Sequence, residues 1–337
     1  MVIKKKAALR MGYNRLISFV GTILEQGRKA VYAHVNHILV SSYWAIGRKI
    51  VELEQGGNVK AVYGSALLHR LSKDLSAKYG KGFSQDNLEK MRKLYVMFNN
   101  SETLSRKLSW SHYSLVLRLD DRLARNFYIR EVEKESWSVR ELKRNIDAML
   151  FERLALSKDK EGVLKLSQKG HILEGTGDMI KDPYILEFLG LEESEKYTET
   201  DLEDSIITHL EKFLLELGRG FTFVARQQRI TIEDEHFFID LVFYNRILRC
   251  FVIMELKIGK LTHQDLGQLQ MYVNYYDRKI KEAGDSPTVG ILLCADKKEA
   301  IVQFTLPKEN KQVFASKYRL YLPNRKELEE KLRKLLG

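Results

Sequence analysis

FFIDLVFYNRILRCFVIMELK, residues 237–257, decides how the rest of the chain is read. β-Branched and aromatic residues dominate it, and only Asp240, Arg246 and Arg249 carry full charge before Glu255. Such a run predicts two strands joined by a tight turn at Asn245-Arg246. Side chains alternate faces along a strand, and directly opposed residues share a face. The hairpin therefore places Asp240 on one face with Phe251, Ile253, Glu255 and Lys257. Two carboxylates and an ammonium converge in an apolar setting, which is costly unless the charges are paired or bind a metal.

The chain has 337 residues, 44% hydrophobic and 30% charged, a soluble globular composition with room for two domains. No uncharged run approaches the roughly 20 residues of a bilayer span, and the basic start MVIKKKAALRMGYNR lacks the apolar core of a secretory signal. These features predict a cytoplasmic protein with no membrane partner. Cys250 and Cys294 fall in expected strands without a CxxC or nearby His, which argues for buried thiols. The net charge of +11 is unevenly divided: residues 1–150 carry 27 Lys and Arg against 14 Asp and Glu, residues 151–337 carry 29 against 31. All the excess positive charge lies in the first half, which suits a polyanion such as nucleic acid; a merely solvated basic surface is the competing reading.

From Tyr13 to about Phe151 apolar residues recur at three- and four-residue spacing. The pattern predicts helices near 12–27, 30–55, 60–79, 84–99, 109–118, 120–134 and 138–155, with Ser84 and Ser136 or Ser138 as start signals. Residues 1–155 thus read as a basic all-helical domain. Arg140, Lys143 and Arg144 cluster on one of its helices and Arg118, Arg122 and Arg125 on another; either set could track phosphates. Trp110, Tyr113, Phe127, Tyr128 and Trp137 recur at core spacing, and His34, His37, His69 and His112 show no metal-ligand pattern. Residues 156–199 are charged and Gly-rich and read as a linker with an apolar docking segment, Pro183 to Leu191. Residues 200–337 then give helix, strand, hairpin, helix, strand and α/β additions, the order of an open mixed sheet flanked by helices. The expected elements there include one amphipathic helix over DLEDSIITHLEKFLLELG, a helix near 261–283, the strand PTVGILLCA, a short helix near 297–304, the strand KYRLYLP and a closing helix from Arg325.

Asp240 and Glu255, followed by Lys257, form the pattern D-x14-E-x-K on neighbouring strands. Mg²⁺ prefers oxygen donors and is often held by one or two carboxylates plus water and substrate phosphate, which Asp240 and Glu255 suit. A metal there would polarise a phosphodiester and acidify a bound water. Lys257 could orient that water or offset the developing negative charge. Gln268, one turn into the next helix, could position the lysine or the water. Glu203 is the best candidate for an additional ligand. A salt-bridged strand pair is the bland alternative for the trio. Arg226, in the run RQQR on the preceding strand, could contact phosphate or could mark a solvated edge.

The order helix Glu, strand Asp, strand E-x-K, helix Gln resembles the PD-(D/E)XK nuclease signature. The text LEDSIITHLEKFLLELGRGFTFVARQ, FFIDLVFYNRILRCFVIMELKIGKL, GQLQMYV and GILLCADK resembles the bacterial YhcG-like family more closely. GRKIVE, YGSALLHRLSKDL, YGKGFSQDNLEKMRKLY, LSWSHY and WSVRELKRNI resemble that family's helical N-terminal domain. The resemblance implies a restriction-endonuclease-like core, Mg²⁺-dependent cleavage of nucleic acid with Mn²⁺ as a substitute, DNA ahead of RNA, and Asp240, Glu255 and Lys257 as the catalytic trio. Glu203 and Gln268 carry over too, though Glu211 on the same helix competes with Glu203. The signature's proline is replaced by Ile239. A homodimer would suit the cutting of two strands, and a nuclease fold kept only for binding is the alternative function.

One geometric demand follows from the hairpin. A two-residue turn pairs Asp240 with Phe251 and leaves Glu255 four residues, about 13 Å, further along. For one ion to meet both carboxylates the strands must bulge, bend or pair in a shifted register.

Overall fold

The computed structural model describes residues 2–56, 62–156, 158–181, 183–191 and 197–336. The chain divides into two compact units, Met1–Arg144 and Asn145–Gly337.

Among its described residues the first unit is helical throughout: α1 (Val2–Gly56), α2 (Val62–Tyr79), α3 (Gln85–Met97), α4 (Trp110–Val116), α5 (Arg122–Glu135) and α6 (Val139–Asp147), which runs into the second unit. The two helices expected at 12–27 and 30–55 are one, because Gly27 weakens a helix without ending it and the good helix formers Arg28, Lys29 and Ala30 follow. Caps set the other boundaries. The Ser84 hydroxyl accepts the Asn87 N–H at 3.3 Å. Ser109 and His112 close a capping box, and His112 Nε2 lies 3.0 Å from the Trp137 carbonyl oxygen, so this histidine is structural. Ser138 caps α6 with Glu141 returning the bond at 2.6 Å, whereas Ser136 ends α5 in a left-handed conformation, φ 54°. Leu88, Met91 and Leu94 of α3 are fully buried, and Leu88 and Met91 pack with Ile50, Tyr43 and Ile46 of α1. Tyr113, Phe127 and Tyr128 are core, as their spacing predicts.

In the second unit the helix expected over 138–155 breaks at Met149, φ 51°, and resumes as α7 (Leu150–Ala155). The charged segment that follows holds α8 (Lys160–Lys169) and a two-residue strand, β1 (Tyr184–Ile185), which pairs in parallel with Tyr318 and Arg319. Two residues carry no detectable periodicity. Next come α9 (Glu199–Thr208) and α10 (Leu210–Leu217), two helices where the sequence predicts one, split at His209. The sheet strands are β2 (Phe221–Ile232), β3 (Glu235–Asn245), β4 (Cys250–Lys260), β5 (Val289–Asp296) and β6 (Val313–Arg319). The remaining helices are α11 (His263–Lys279), α12 (Glu299–Thr305) and α13 (Arg325–Leu336).

The sheet order is β1-β6-β5-β4-β3-β2, antiparallel from β2 to β4 and parallel from β4 to β1. β6 begins four residues before KYRLYLP, because its register with β5 starts at Val313 opposite Gly290. Each face of the sheet carries its own core. Leu202, Ile206, Phe213 and Leu217 of α9 and α10 cover Leu241, Phe243, Val252 and Met254. Leu266, Leu269 and Val273 of α11 cover Ile239, Val242, Ile253 and Leu292. A Cβ at Gly290 would strike Leu269 and Val273, so glycine there lets α11 sit tight on the sheet. Cys250 and Cys294 are buried free thiols. Arg153 and Glu216 form a fully buried ion pair at 2.7 Å; Arg153 also donates to the Pro183 and Ala148 carbonyls, and Glu216 accepts the Ile185 N–H. This network ties α7, the β1 segment and α10 together.

Candidate active site

The hairpin is built differently from the one its sequence suggests. Asn245 pairs with Cys250 and Tyr244 with Phe251, so the turn is the four residues Arg246–Arg249. Asn245 Oδ1 accepts the N–H groups of Ile247 and Leu248, and Arg249 closes the loop at φ 54°. The register moves by four residues. An even shift keeps the faces of the paired residues Leu241–Asn245, as the period of two requires, and carries Asp240 about 13 Å along to lie opposite Glu255.

The ladder between β3 and β4 stops at Leu241–Met254, one pair before the carboxylates. There each side chain takes the backbone bond that the ladder gives up. Leu256 N–H donates to Asp240 Oδ2 at 2.8 Å, and Asp240 N–H donates to Glu255 Oε1 at 3.2 Å. On the other side, Gln227 of β2 faces Asp240 and sits at φ 45°. Alternation breaks at this point: Ile239 and Val242 pack in one core, Leu241 and Phe243 in the other. Gln227, Asp240 and Glu255 thus line up across three strands where the sheet is distorted.

Burial drives the electrostatics. It raises the Glu255 carboxyl from 4.5 to about 9, with Asp240 adding to the shift by repulsion. Asp240 is lifted from 3.8 to about 6 by burial, opposed by the Leu256 bond and reinforced by Glu203. Two carboxylates that resist ionisation face each other, which is the electrostatic demand that a divalent cation satisfies.

Glu203 is buried near the start of α9. Arg226 holds it through Oε1 and reaches Asp204 with its other end, while the Gln227 amide links Glu203 Oε2 to Asp240 Oδ1, the latter at 3.1 Å. Arg226, expected on phosphate, is thus paired with two acids. Glu211 is exposed on α10, in a different helix from Glu203. Lys257 lies 3.4 Å from Glu199 and 3.6 Å from Asp265. Burial pulls its ammonium down, and the two acids outweigh that and hold it above its ordinary value. Gln268 Nε2 donates to the Tyr272 hydroxyl at 2.6 Å, and that hydroxyl reaches the Phe238 carbonyl at 3.4 Å; Gln268 makes no bond to Lys257 here. Arg140 and Lys143 are exposed on α6 and Arg144 is half-buried.

Three contacts at the site were not read from sequence: Glu199 and Asp265 beside Lys257, and Gln227 between Glu203 and Asp240. Glu199 opens α9, accepts the Ile258 N–H at 3.3 Å and anchors Lys257; its only signal is an acid in a helix's first turn. Gln227 had no signal beyond a polar strand. Asp265 pairs with Thr262 as the capping box of α11, and that motif is readable in THQD.

The donor set fits a hard cation. Asp240, Glu255 and Glu203 offer oxygen only, and among the described residues no three His, Cys, Asp or Glu side chains close into a ready-made cage. Mg²⁺ is commonly held by one or two carboxylates with water completing its shell. Among the described residues no helix is long and apolar enough to cross a membrane.

Comparison with known proteins places both halves. Residues 177–333 match the model of the YhcG PDDEXK nuclease domain and residues 19–153 that of the DUF1016 N-terminal domain. The chain is 37% identical to "Putative nuclease YhcG" of Escherichia coli (strain K12), over 95% of this chain and 94% of that protein. Among solved structures, a repair endonuclease from Pyrococcus abyssi overlaps 39% of this chain and 50% of its own at 21% identity and TM-score 0.26. EndoMS in complex with double-stranded DNA overlaps 40% and 51% at 18% identity and TM-score 0.28. The chain therefore spans about half the length of those solved structures. The long, close match to the Escherichia coli protein, together with the two domain models, shows that the chain belongs to the YhcG family, a DUF1016 N-terminal domain joined to a PDDEXK nuclease domain.

Proposed function

We propose that this protein is a cytoplasmic, Mg²⁺-dependent endonuclease that hydrolyses phosphodiester bonds in DNA, with Asp240, Glu255 and Lys257 at the centre of the site. The observation that carries the reading is the crossed carboxylate pair, Asp240 and Glu255 each bonded to the other strand's backbone with both acids held above their ordinary range. Such a pair ionises together when a cation shares it.

When bound, Mg²⁺ or Mn²⁺ would supply positive charge against a phosphate oxygen and acidify a water. The chain does the rest. Asp240 and Glu255 would hold the ion, oriented by their bonds to Leu256 N–H and Asp240 N–H. Glu203 supports them from outside through Gln227. Lys257, steered by Glu199 and Asp265, is placed to donate to a phosphate oxygen or to the attacking water and to offset charge as the bond to the leaving oxygen lengthens. Gln268 acts through Tyr272, whose hydroxyl reaches the strand carrying Asp240. The basic helical half would hold the nucleic-acid backbone with Arg140 and Lys143, while α7 and the segment 156–199, expected as the end of that half and a linker, fold with the nuclease half through Arg153–Glu216 and β1.

The test is incubation of the wild type and Asp240→Ala with duplex, nicked, branched and single-stranded DNA, in Mg²⁺ and in EDTA. Cleavage requiring both Mg²⁺ and Asp240 supports the proposal. Activity that survives either loss refutes it, and binding without cleavage would make the nuclease fold a binding module.

A further inference from the structure

The first half of α1 presents an apolar face that the described residues of its own unit leave uncovered. From residue 16 to 39, large apolar side chains recur at helical spacing, with Phe19, Val31 and Tyr32 exposed by 66%, 63% and 70%. At Val40, fully buried, the helix enters the core of the first unit. A contiguous apolar surface of this extent on a soluble chain marks an interaction site.

The order of the residues suits a second copy of the same face. Around Gly27-Arg28 ten of the eleven exposed large apolar residues between 16 and 39 fall in mirror pairs, Phe19 opposite Asn36 being the exception: Leu24 mirrors Val31, Val20 mirrors Val35, and Ile17 mirrors Ile38. Ile23 with Tyr32 and Leu16 with Leu39 continue the mirror. A two-fold interface needs this property, because residue i of one copy meets j of the other while j meets i. Gly27 stands near the centre of the face, and a Cβ there would meet nothing within 4 Å. Mid-helix glycine destabilises a helix relative to alanine, and close approach of a second backbone gives it a use. The central charge is already met, since Arg28 pairs with Glu25 on its own helix at 3.3 Å.

We propose that two copies of this chain pair antiparallel through residues 16–39 of α1, with the two-fold axis at Gly27-Arg28. The paired segment is about 35 Å long. With most of its apolar side chains at least half exposed, two copies would bury roughly 1,500 Å² in total, the standard size for a stable interface. The pairing does not depend on the nuclease reading. If both hold, one particle carries two cleavage sites.

The full-length chain tests this. Sedimentation equilibrium at micromolar concentration should return twice 39.3 kDa. Leu24→Glu/Val31→Glu should return one chain's mass with unchanged helical circular dichroism, because both positions face solvent in the single chain. Direction is read by cross-linking, with Cys250 and Cys294 buried and silent. Val20→Cys/Val35→Cys should oxidise to a covalent dimer, while neither single variant should, since like positions in an antiparallel pair lie about 22 Å apart along the axis. A monomeric wild type, a dimer that survives the double Glu substitution, or self-linking of Val20→Cys alone would each overturn the proposal.

Discussion

Replacing Glu255 by Gln should change how stability depends on pH when no metal is present. Unfolded, this carboxyl loses its proton near 4.5; folded, burial and Asp240 hold the proton up to about 9. Between those values the folded chain carries the extra proton, so raising the pH favours the unfolded chain, by up to about 1.4 kcal/mol per unit. From pH 6 to pH 8 in EDTA the wild type should lose roughly 3 kcal/mol in its C-terminal unit. Gln keeps an oxygen for the Asp240 N–H and removes the titration. The variant should therefore be nearly flat over this range and more stable than the wild type at pH 8. Urea unfolding followed by far-ultraviolet circular dichroism measures this. Tryptophan fluorescence is an internal control, because Trp44, Trp110 and Trp137 all lie in the first unit. Parallel pH dependences for the two proteins, or a variant less stable at pH 8, would refute the electrostatic account of the site.

Lys257→Met should lower the rate of cleavage by about 100-fold or more while leaving Mn²⁺ affinity undiminished, since the ammonium is assigned to phosphate and water rather than to the ion; single-turnover kinetics with a metal titration separates the two. Arg153→Met should destabilise the C-terminal unit by about 3–5 kcal/mol in urea, because Glu216 is left as a fully buried charge. Arg140→Glu/Lys143→Glu in the Asp240→Ala background should weaken DNA binding and flatten its salt dependence, read as the slope of log affinity against log salt.

The layers of the fold follow from patterns of three and four in the first half and of apolar strands in the second, and those survive folding because burial enforces them. The hairpin register does not. Both the two-residue and the four-residue turn put Asp240, Glu255 and Lys257 on one face, so the pattern of alternation cannot tell them apart. The choice rests on Asn245, whose side chain accepts two N–H groups of the longer turn. β1 pairs only two residues and leaves no period to read. Gln227 matters through a positive φ opposite Asp240, and Glu199 through a helix start brought beside Lys257. Both are contacts between elements distant in the chain, which no local pattern encodes. Arg226 shows the opposite case, a cation that looks available for phosphate in the sequence and is paired with Glu203 and Asp204 in the fold.

The central claim is that the Asp240–Glu255 pair gives up its protons to a divalent cation. Electron paramagnetic resonance of free Mn²⁺ tests it directly on the full-length wild type, Asp240→Asn and Glu255→Gln at pH 6, 7 and 8. The account predicts a site in the wild type whose affinity climbs steeply with pH, by up to tenfold per unit for each proton released, and which both substitutions abolish. Equal Mn²⁺ binding by all three proteins, or wild-type affinity that does not change with pH, would contradict it.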